Sequence, residues 1–529
     1  MVDGLGKLNR GKPYPFFALS ALTVITLSAQ TFTTLATLNG ANNGSSPCPG
    51  NPTCTEGGLS QGTDGNLYGT TYAGGANGYG TVFRITLSGK VTILHSFGGA
   101  DGANPAAGLV LGTDGNFYGT TYAGGANGYG AVFKITRGGA LTTLYSFCSL
   151  SNCADGQFPI GGLLQAANGK FYGTTETGGA NQGDGCNSAS QVGCGTIFEI
   201  TPSGKLTTIH NFCSVSGCAD EQFPTGTLVQ GSDGYLYGTT YSGNPGTPSG
   251  SGWGSVFKIS TSGKLTTLHT FRCSGTPSCQ NGQTVPAGLV QAADGSFYGT
   301  TSAGGANDSC VLVFGSQFGC GTVFNISPDG MLTTAYSFCS LSDCADGELP
   351  YSGLVIGTDG NFYGTTLSGY PGLPSYGTVF QITPSGTLTT LHTFCSQSGC
   401  PDGTNPLAGL VQATNGSFYG TTSSVCGSVI APCGVVNTNG TVFSLSLGLP
   451  PFVKTVPTSG KVGSTVTILG NSLTGTTSVT FNGTPATAFT VVSGVEIKAT
   501  VPTGAITGTV QVVTPGGTLL SNVPFLLLP

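Results

Sequence analysis

Apolar residues in this chain fall in short runs that alternate with Thr and Ser and are cut by glycine-rich turns. The stretch 108–147 is representative. Gly108 to Leu111, Phe117 to Tyr122, Ala131 to Thr136 and Leu141 to Phe147 each read as a strand, rich in aromatic and β-branched residues and bounded by turn signals. Asp114-Gly115 joins the first pair as a tight hairpin, and a glycine turn such as Ser88-Gly89 in the preceding stretch joins the last pair. Period-two alternation in the fourth strand predicts Leu141, Tyr145 and Phe147 on one face and Leu144 on the other. Apolar groups on both faces predict a sheet sandwiched between neighbours.

The stretch is one of a series. Tyr-Gly-Thr-Thr begins at Tyr68, Tyr118, Tyr172, Tyr237, Tyr298, Tyr363 and Tyr419, a period of 50 to 65 residues. Each copy is followed by Gly-x-Val/Ile-Phe, ending at Phe83, Phe133, Phe198, Phe257, Phe324, Phe380 and Phe443. Repeats of this length predict propeller blades. The seventh copy stops at Leu447 without its fourth strand, while a matching segment, Phe32 to Leu38, stands ahead of the first copy. The expected fold is therefore all-β, a seven-bladed β-propeller over residues 30–447 whose N-terminal strand completes the last blade and removes the exposed sheet edges.

With these motifs in place, residues 31–447 resemble the exported GloVer tandem-repeat proteins, named for Gloeobacter and Verrucomicrobia, whose repeat carries "DGNLYGTT…GG…GTVFRIT…G". The resemblance implies export and repetition and brings no activity with it. Many relatives end in a surface-sorting tail, and this chain's last residue is Pro529, which favours release. After Leu447 cysteine vanishes, and Gly448-Leu449-Pro450-Pro451 reads as a linker. Residues 452–529 resemble the IPT/TIG immunoglobulin-like domain through Pro457-Thr458-Ser459-Gly460, Gly463 to Gly470, Val479-Thr480-Phe481-Asn482-Gly483, and Val501-Pro502 ahead of Gly508 to Val512. That resemblance implies a β-sandwich serving as spacer or binding module.

Composition narrows the partners. Only 7% of the 529 residues are charged, 91 are glycine, and the net charge is −6 with 15 Lys and Arg scattered singly. No basic patch exists to neutralise a phosphate backbone, which excludes nucleic acid. Residues 1–29 read as a cleaved signal peptide, with Lys7, Arg10 and Lys12 ahead of an apolar run from Phe16 to Leu27. That run is short for an anchor, and no later segment is apolar enough to span a bilayer. The eighteen cysteines fall into nine local pairs: Cys48 and Cys54, Cys148 and Cys153, Cys186 and Cys194, Cys213 and Cys218, Cys273 and Cys279, Cys310 and Cys320, Cys339 and Cys344, Cys395 and Cys400, Cys426 and Cys433. Disulfides closing surface loops are expected, in a secreted or cell-surface protein. A zinc reading would need two close pairs with C-x₂₋₄-C spacing to converge, and these pairs lie inside different repeats without His nearby.

Parity places the candidate sites. With four antiparallel strands, the loop between the second and third strands and the connection between units emerge on the same side. All insertions (176–194, 241–253, 302–320, 423–439) and all nine cysteine pairs lie in those loops. Trp253, Phe314, Phe318 and Tyr376 sit there as candidate ligand contacts for a sugar or peptide, with packing beneath the loops as the competing reading. Asp101, Asp155, Asp220, Asp346 and Asp402 recur in the connections, with Asn281 and Glu56 at the matching positions. Such a ring would suit calcium if the side chains converged, but Asp-Gly is also an ordinary turn pair. His95, His210, His269 and His392 share one repeat position and read as packed residues. Gly58-Leu59-Ser60-Gln61-Gly62 matches the nucleophile-elbow pattern without the strand-to-helix turn that chemistry needs. The insertions themselves offer Glu176, Asp184 and Asp308 as acids to pair for glycoside cleavage.

The expectation is an exported, monomeric, non-enzymatic binding or scaffold protein that takes no cofactor and contacts extracellular carbohydrate or protein. The alternative is a polysaccharide-active enzyme, glycosidase or lyase, working through loop acids.

Overall fold

A computed structural model describes residues 30–38, 58–181, 186, 193–215, 218, 220–242, 252–272, 279–307, 310, 319–368, 376–423 and 440–528. The expected signal at 1–29 lies outside them, as do Glu56, Asp184, Asp308, Phe314, Phe318, Cys48, Cys54, Cys273, Cys426 and Cys433. The described chain is all-β apart from single 3₁₀ turns, built from many small antiparallel sheets, and no helix in it is long and apolar enough to cross a membrane.

The second unit forms strands at Val110–Leu111, Phe117–Thr121, Ala131–Ile135 and Leu141–Ser146, paired in sequence order. The other units repeat this order, and the fourth adds a strand at Gln222–Pro224. In the last unit the outer strand is Thr31–Leu38, antiparallel to Gly440–Ser446 with Thr31 opposite Ser446 and Leu38 opposite Gly440.

The two sequence motifs account for each other. Gly69 lies opposite Phe83 across the ladder, and a Cβ there would sit 2.8 Å from both the Phe83 ring and Leu59. The glycine is the floor on which the phenylalanine ring rests. Tyr68 stacks on Phe117 of the next unit at 4.1 Å, and its hydroxyl donates to Asp64 of the hairpin turn at 2.9 Å, so a buried phenol keeps a partner. Thr70 donates to the Ala107 carbonyl of the next unit, and Thr71 pairs with Thr81 on the third strand. All four motif residues thus serve packing or bonding between strands and units.

These contacts make a closed circuit. One apolar cluster joins Tyr68, Val82 and Phe97 to Leu109, Phe117 and Phe133 of the following unit, and equivalent clusters join each later pair. The circuit closes where Val411, Tyr419, Val442 and Leu38 meet Leu59, Leu67 and Phe83. Glutamines on the short first strands reinforce it. Thr113 donates to Gln165, Ala167 to Gln230, Ser232 to Gln291 and Thr358 to Gln412, and across the closure Thr414 donates to Gln61 at 3.0 Å.

One expectation is corrected. Leu141 packs with the cluster shared with the preceding unit, whereas Leu144, Tyr145 and Phe147 pack with the cluster shared with the following one. The cause is a bulge: register shifts between Val132 and Phe133, so the extra residue on the fourth strand breaks strict alternation.

Beyond Leu447, Lys454–Val456, Thr465–Leu469, Glu496–Thr500 and Ala488–Ser493 form one sheet, and Thr484–Pro485, Ser478–Phe481, Val510–Thr514 and Gly517–Leu520 form another. Val466, Ile468, Val479, Phe481, Ile497 and Phe525 fill the space between them. This part rests on the circuit. Leu469 and Val456 join the cluster around Leu109 and Leu111, Asn522 bonds the Ile356 carbonyl at 3.3 Å, and the Phe452 amide donates to the Thr414 carbonyl at 3.1 Å. Leu111 and Ile356 occupy the position that elsewhere carries the bridging glutamine.

Phe32 is the anchor of the closing strand, stacked 3.7 Å from His392 and packed on Phe394 and Phe443. Phe32→Ala is expected to cost about 3 kcal/mol, read as a lowered urea midpoint. A substitution at exposed Met331 should leave that midpoint unchanged.

Candidate functional site

The residue after each Tyr-Gly-Thr-Thr copy ends a second strand on the side of the variable loops. In the first six units it is Tyr72, Tyr122, Glu176, Tyr241, Ser302 and Leu367. The connections position these residues. Each connection passes through a residue held at positive φ, such as Asn104 (55°), Phe158 (56°) or Leu349 (56°). The amide of that residue bonds the preceding unit, and its carbonyl accepts from Tyr122, Glu176 or Leu367 respectively. The strand ends are thereby turned toward one place: Tyr72, Tyr122 and Leu367 pack on Ala106, Leu349, Tyr351 and Leu407, residues drawn from widely separated units.

Glu176 belongs to the same place. It is half-buried, and burial pushes its carboxyl up to about 7. Burial also raises Tyr72, Tyr122 and Tyr241, the second to about 12, and the charge of Glu176 adds to the shift at Tyr122 and Tyr241. Tyr351 is raised by burial and by Tyr241, against a bond with Ser302. Phe158 stacks on Tyr122 at 4.9 Å. The result is a cluster of neutral phenols and flat rings around one carboxyl that changes charge near neutrality. Such a site offers hydroxyl donors and acceptors, stacking faces and one titratable group.

Glu176 was among the loop acids the sequence offered, but its tyrosine neighbours were not anticipated. Tyr72, Tyr122 and Tyr241 each directly follow a Tyr-Gly-Thr-Thr copy, and that fixed offset is the available signal, whereas Tyr351 lies in a connection between units. Of the expected aromatic contacts, Trp253 and Tyr376 are partly buried, each with its carbonyl fixed by an amide of the next connection, Thr284 and Asn405. They occupy the repeat position of the exposed Tyr79 and Tyr129.

The recurrent aspartates are not gathered together. Asp101 bonds His95 at 2.7 Å, Asp155 accepts from Tyr145 at 2.7 Å, Asp220 bonds His210 at 3.2 Å, Asp346 accepts from Tyr336 at 2.8 Å and Asp402 bonds His392 at 2.9 Å. Each carboxylate also takes amides of its own turn, such as Ser214 and Val215 on Asp220. The aspartate and the fourth-strand His or Tyr form one recurring clasp that closes the connection.

Six of the expected disulfides join described residues: Cys148–Cys153, Cys186–Cys194, Cys213–Cys218, Cys310–Cys320, Cys339–Cys344 and Cys395–Cys400. Cys279 is also disulfide-bonded, and the pairs Cys48–Cys54, Cys273–Cys279 and Cys426–Cys433 involve residues outside the described ones. Contrary to expectation, two pairs from different loops do converge, at Cys186, Cys194, Cys213, Cys218 and again at Cys310, Cys320, Cys339, Cys344.

Two pH effects follow. Burial alone would raise Asp220, but bonds from His210, Ser214 and Val215 outweigh it and hold the carboxyl at about 2, below its ordinary 3.8. The stability it contributes is present above pH 3.8 and is lost as pH falls through about 2. Acid melts should show that loss, and Asp220→Ala should lack it while costing about 2 kcal/mol at neutral pH. Glu176 has the opposite sign: its folded value lies above its ordinary 4.5, so stability linked to it is full below pH 4.5 and lost as pH rises through about 7. Melting temperature should fall more steeply over that window in the parent than in Glu176→Gln.

A family model described as the Gloeobacter/Verrucomicrobia repeat matches residues 20–243, 151–314, 185–424 and 310–507. No curated protein matches the chain. Among solved structures, a candidate 6-phosphogluconolactonase from Bacteroides fragilis is 19% identical with a TM-score of 0.41, covering 69% of this chain and 88% of that one. Another from Bacteroides uniformis is 15% identical with a TM-score of 0.40, covering 73% and 100%. A polysaccharide lyase described as an ulvan lyase is 11% identical with a TM-score of 0.42, covering 69% and 87%. Likeness at this level says nothing of chemistry. The repeated motifs, their shared geometry and a family match spanning most of its length place this chain in the Gloeobacter/Verrucomicrobia repeat family.

Proposed function

We propose that this is an exported binding protein, a seven-bladed β-propeller over residues 30–447 joined to an immunoglobulin-like domain of the IPT/TIG kind over 452–529. Its ligand site is the tyrosine cluster around Glu176. The ligand class that suits it is an extracellular carbohydrate, with a peptide bearing aromatic or hydroxyl groups as the variant partner. The observation that carries this reading is the convergence of Tyr72, Tyr122, Tyr241 and Tyr351 around a single half-buried carboxyl, on the side that bears the variable disulfide loops. Phenols kept neutral by burial donate and accept hydrogen bonds to sugar hydroxyls, and their faces pack on the apolar side of a pyranose. The cysteine pairs fit an oxidising compartment, and export to the cell surface or beyond belongs to the same proposal.

A second reading rests on Glu176 itself. A carboxyl poised at about 7 is suited to exchange a proton at neutral pH, as a general acid or base acting on a polysaccharide.

Glycan arrays probed with the mature chain, alongside assays for reducing-sugar and unsaturated-product release, separate the two. Binding without product is expected, with Tyr122→Ala and Tyr241→Ala each weakening it about tenfold. Product release that Glu176→Gln abolishes establishes the enzyme instead, and ligand capture indifferent to all three substitutions removes the site.

A further inference from the structure

Two places in the loop system bring together cysteines from an inner loop and from the connection that follows it. Cys186 and Cys194 belong to the loop inside the third unit, and Cys213 and Cys218 to the connection leaving it; their four Sγ atoms all lie within 4.8 Å of one another. Cys310, Cys320, Cys339 and Cys344 repeat the arrangement two units later. In each quartet three cysteines are buried and the fourth is partly exposed. Cys148–Cys153 and Cys395–Cys400 close equivalent connections in units whose inner loop carries no cysteine, so they stand alone.

Four thiolates around one Zn²⁺ lie about 2.3 Å from the metal and therefore ~3.8 Å from each other. Sulfurs already within 4.8 Å need only small movements to reach that tetrahedron. A second observation concerns protons. Gln222 Oε1 lies 2.7 Å from Cys186 Sγ, and Glu348 Oε2 lies 2.6 Å from Cys310 Sγ. An acceptor oxygen so placed meets a donor only when the sulfur is a thiol.

We propose that each quartet is an alternative metal site: once a dithiol reductant has opened its two disulfides, the four thiolates bind one Zn²⁺ in place of the two cross-links. Each disulfide takes two electrons and two protons from one dithiol, which is itself oxidised to a disulfide. Zinc then displaces four protons to solvent, and the metal ties the inner loop to the connection beside it, which the two disulfides, each internal to one segment, do not.

The test uses the full mature chain, reduced with dithiothreitol under argon, desalted, given Zn²⁺ and freed of excess metal. Two zinc ions per chain are expected, with the eight quartet cysteines protected from iodoacetamide and the remaining cysteines alkylated. Cobalt in place of zinc should show the charge-transfer and ligand-field bands of tetrahedral thiolate coordination. Cys213→Ser with Cys218→Ser should lose one metal, and so should Cys339→Ser with Cys344→Ser, whereas Cys148→Ser with Cys153→Ser should keep both. Absence of retained zinc, retention indifferent to the quartet substitutions, or a reduced chain whose circular dichroism shows it unfolded before metal is added each overturns the proposal.

Discussion

A small sheet that is apolar on both faces has no stable existence alone, and here every such sheet is covered by its two neighbours. Tyr68 lies on Phe117, Tyr118 on Phe171, Tyr237 on Phe297, Tyr298 on Phe362 and Tyr363 on Phe418, all at ring separations of 4.0 to 4.1 Å. A line of such units would leave an apolar face bare at each end. The circuit avoids this only because the strand 31–38 supplies the last sheet with its outer edge and carries Leu38 into the cluster of the first. Closure is a hydrogen-bonding solution and an apolar one at once, with Gln61 and Thr414 joined across 353 residues.

The candidate site depends on that closure. Ala106, Leu349 and Leu407 stand far apart in sequence and meet only because the units return on themselves, and the tyrosines packed around them meet for the same reason. Raising a carboxyl to about 7 requires removing water from it without supplying a cation, which the convergence of neutral strand ends achieves around Glu176. The cluster is thus a product of the repeat geometry, while the loops around it are where units differ in length and cysteine content.

Much of the strand pattern was legible in the sequence, because turn chemistry and alternation are local. Phe117–Thr121 and Ala131–Ile135 fall within the segments read from periodicity, and the displaced N-terminal strand was legible because a missing copy and a spare copy are both visible in one dimension. What failed was also local in cause. A bulge beside Phe133 redirected Leu141, which strict alternation does not foresee. The His–Asp clasps, the tyrosine cluster and the sulfur quartets escaped because each joins positions whose relation is set by the path of a connection, not by strand period.

The central claim is that residues 31–38 pair with 440–446 in the folded protein. Amide hydrogen exchange read peptide by peptide tests it most directly. The account predicts that the segment 31–38 is protected to the same degree as 440–446 and is released with it as denaturant rises. A segment that exchanges like free peptide while 418–422 and 440–446 remain protected would contradict it.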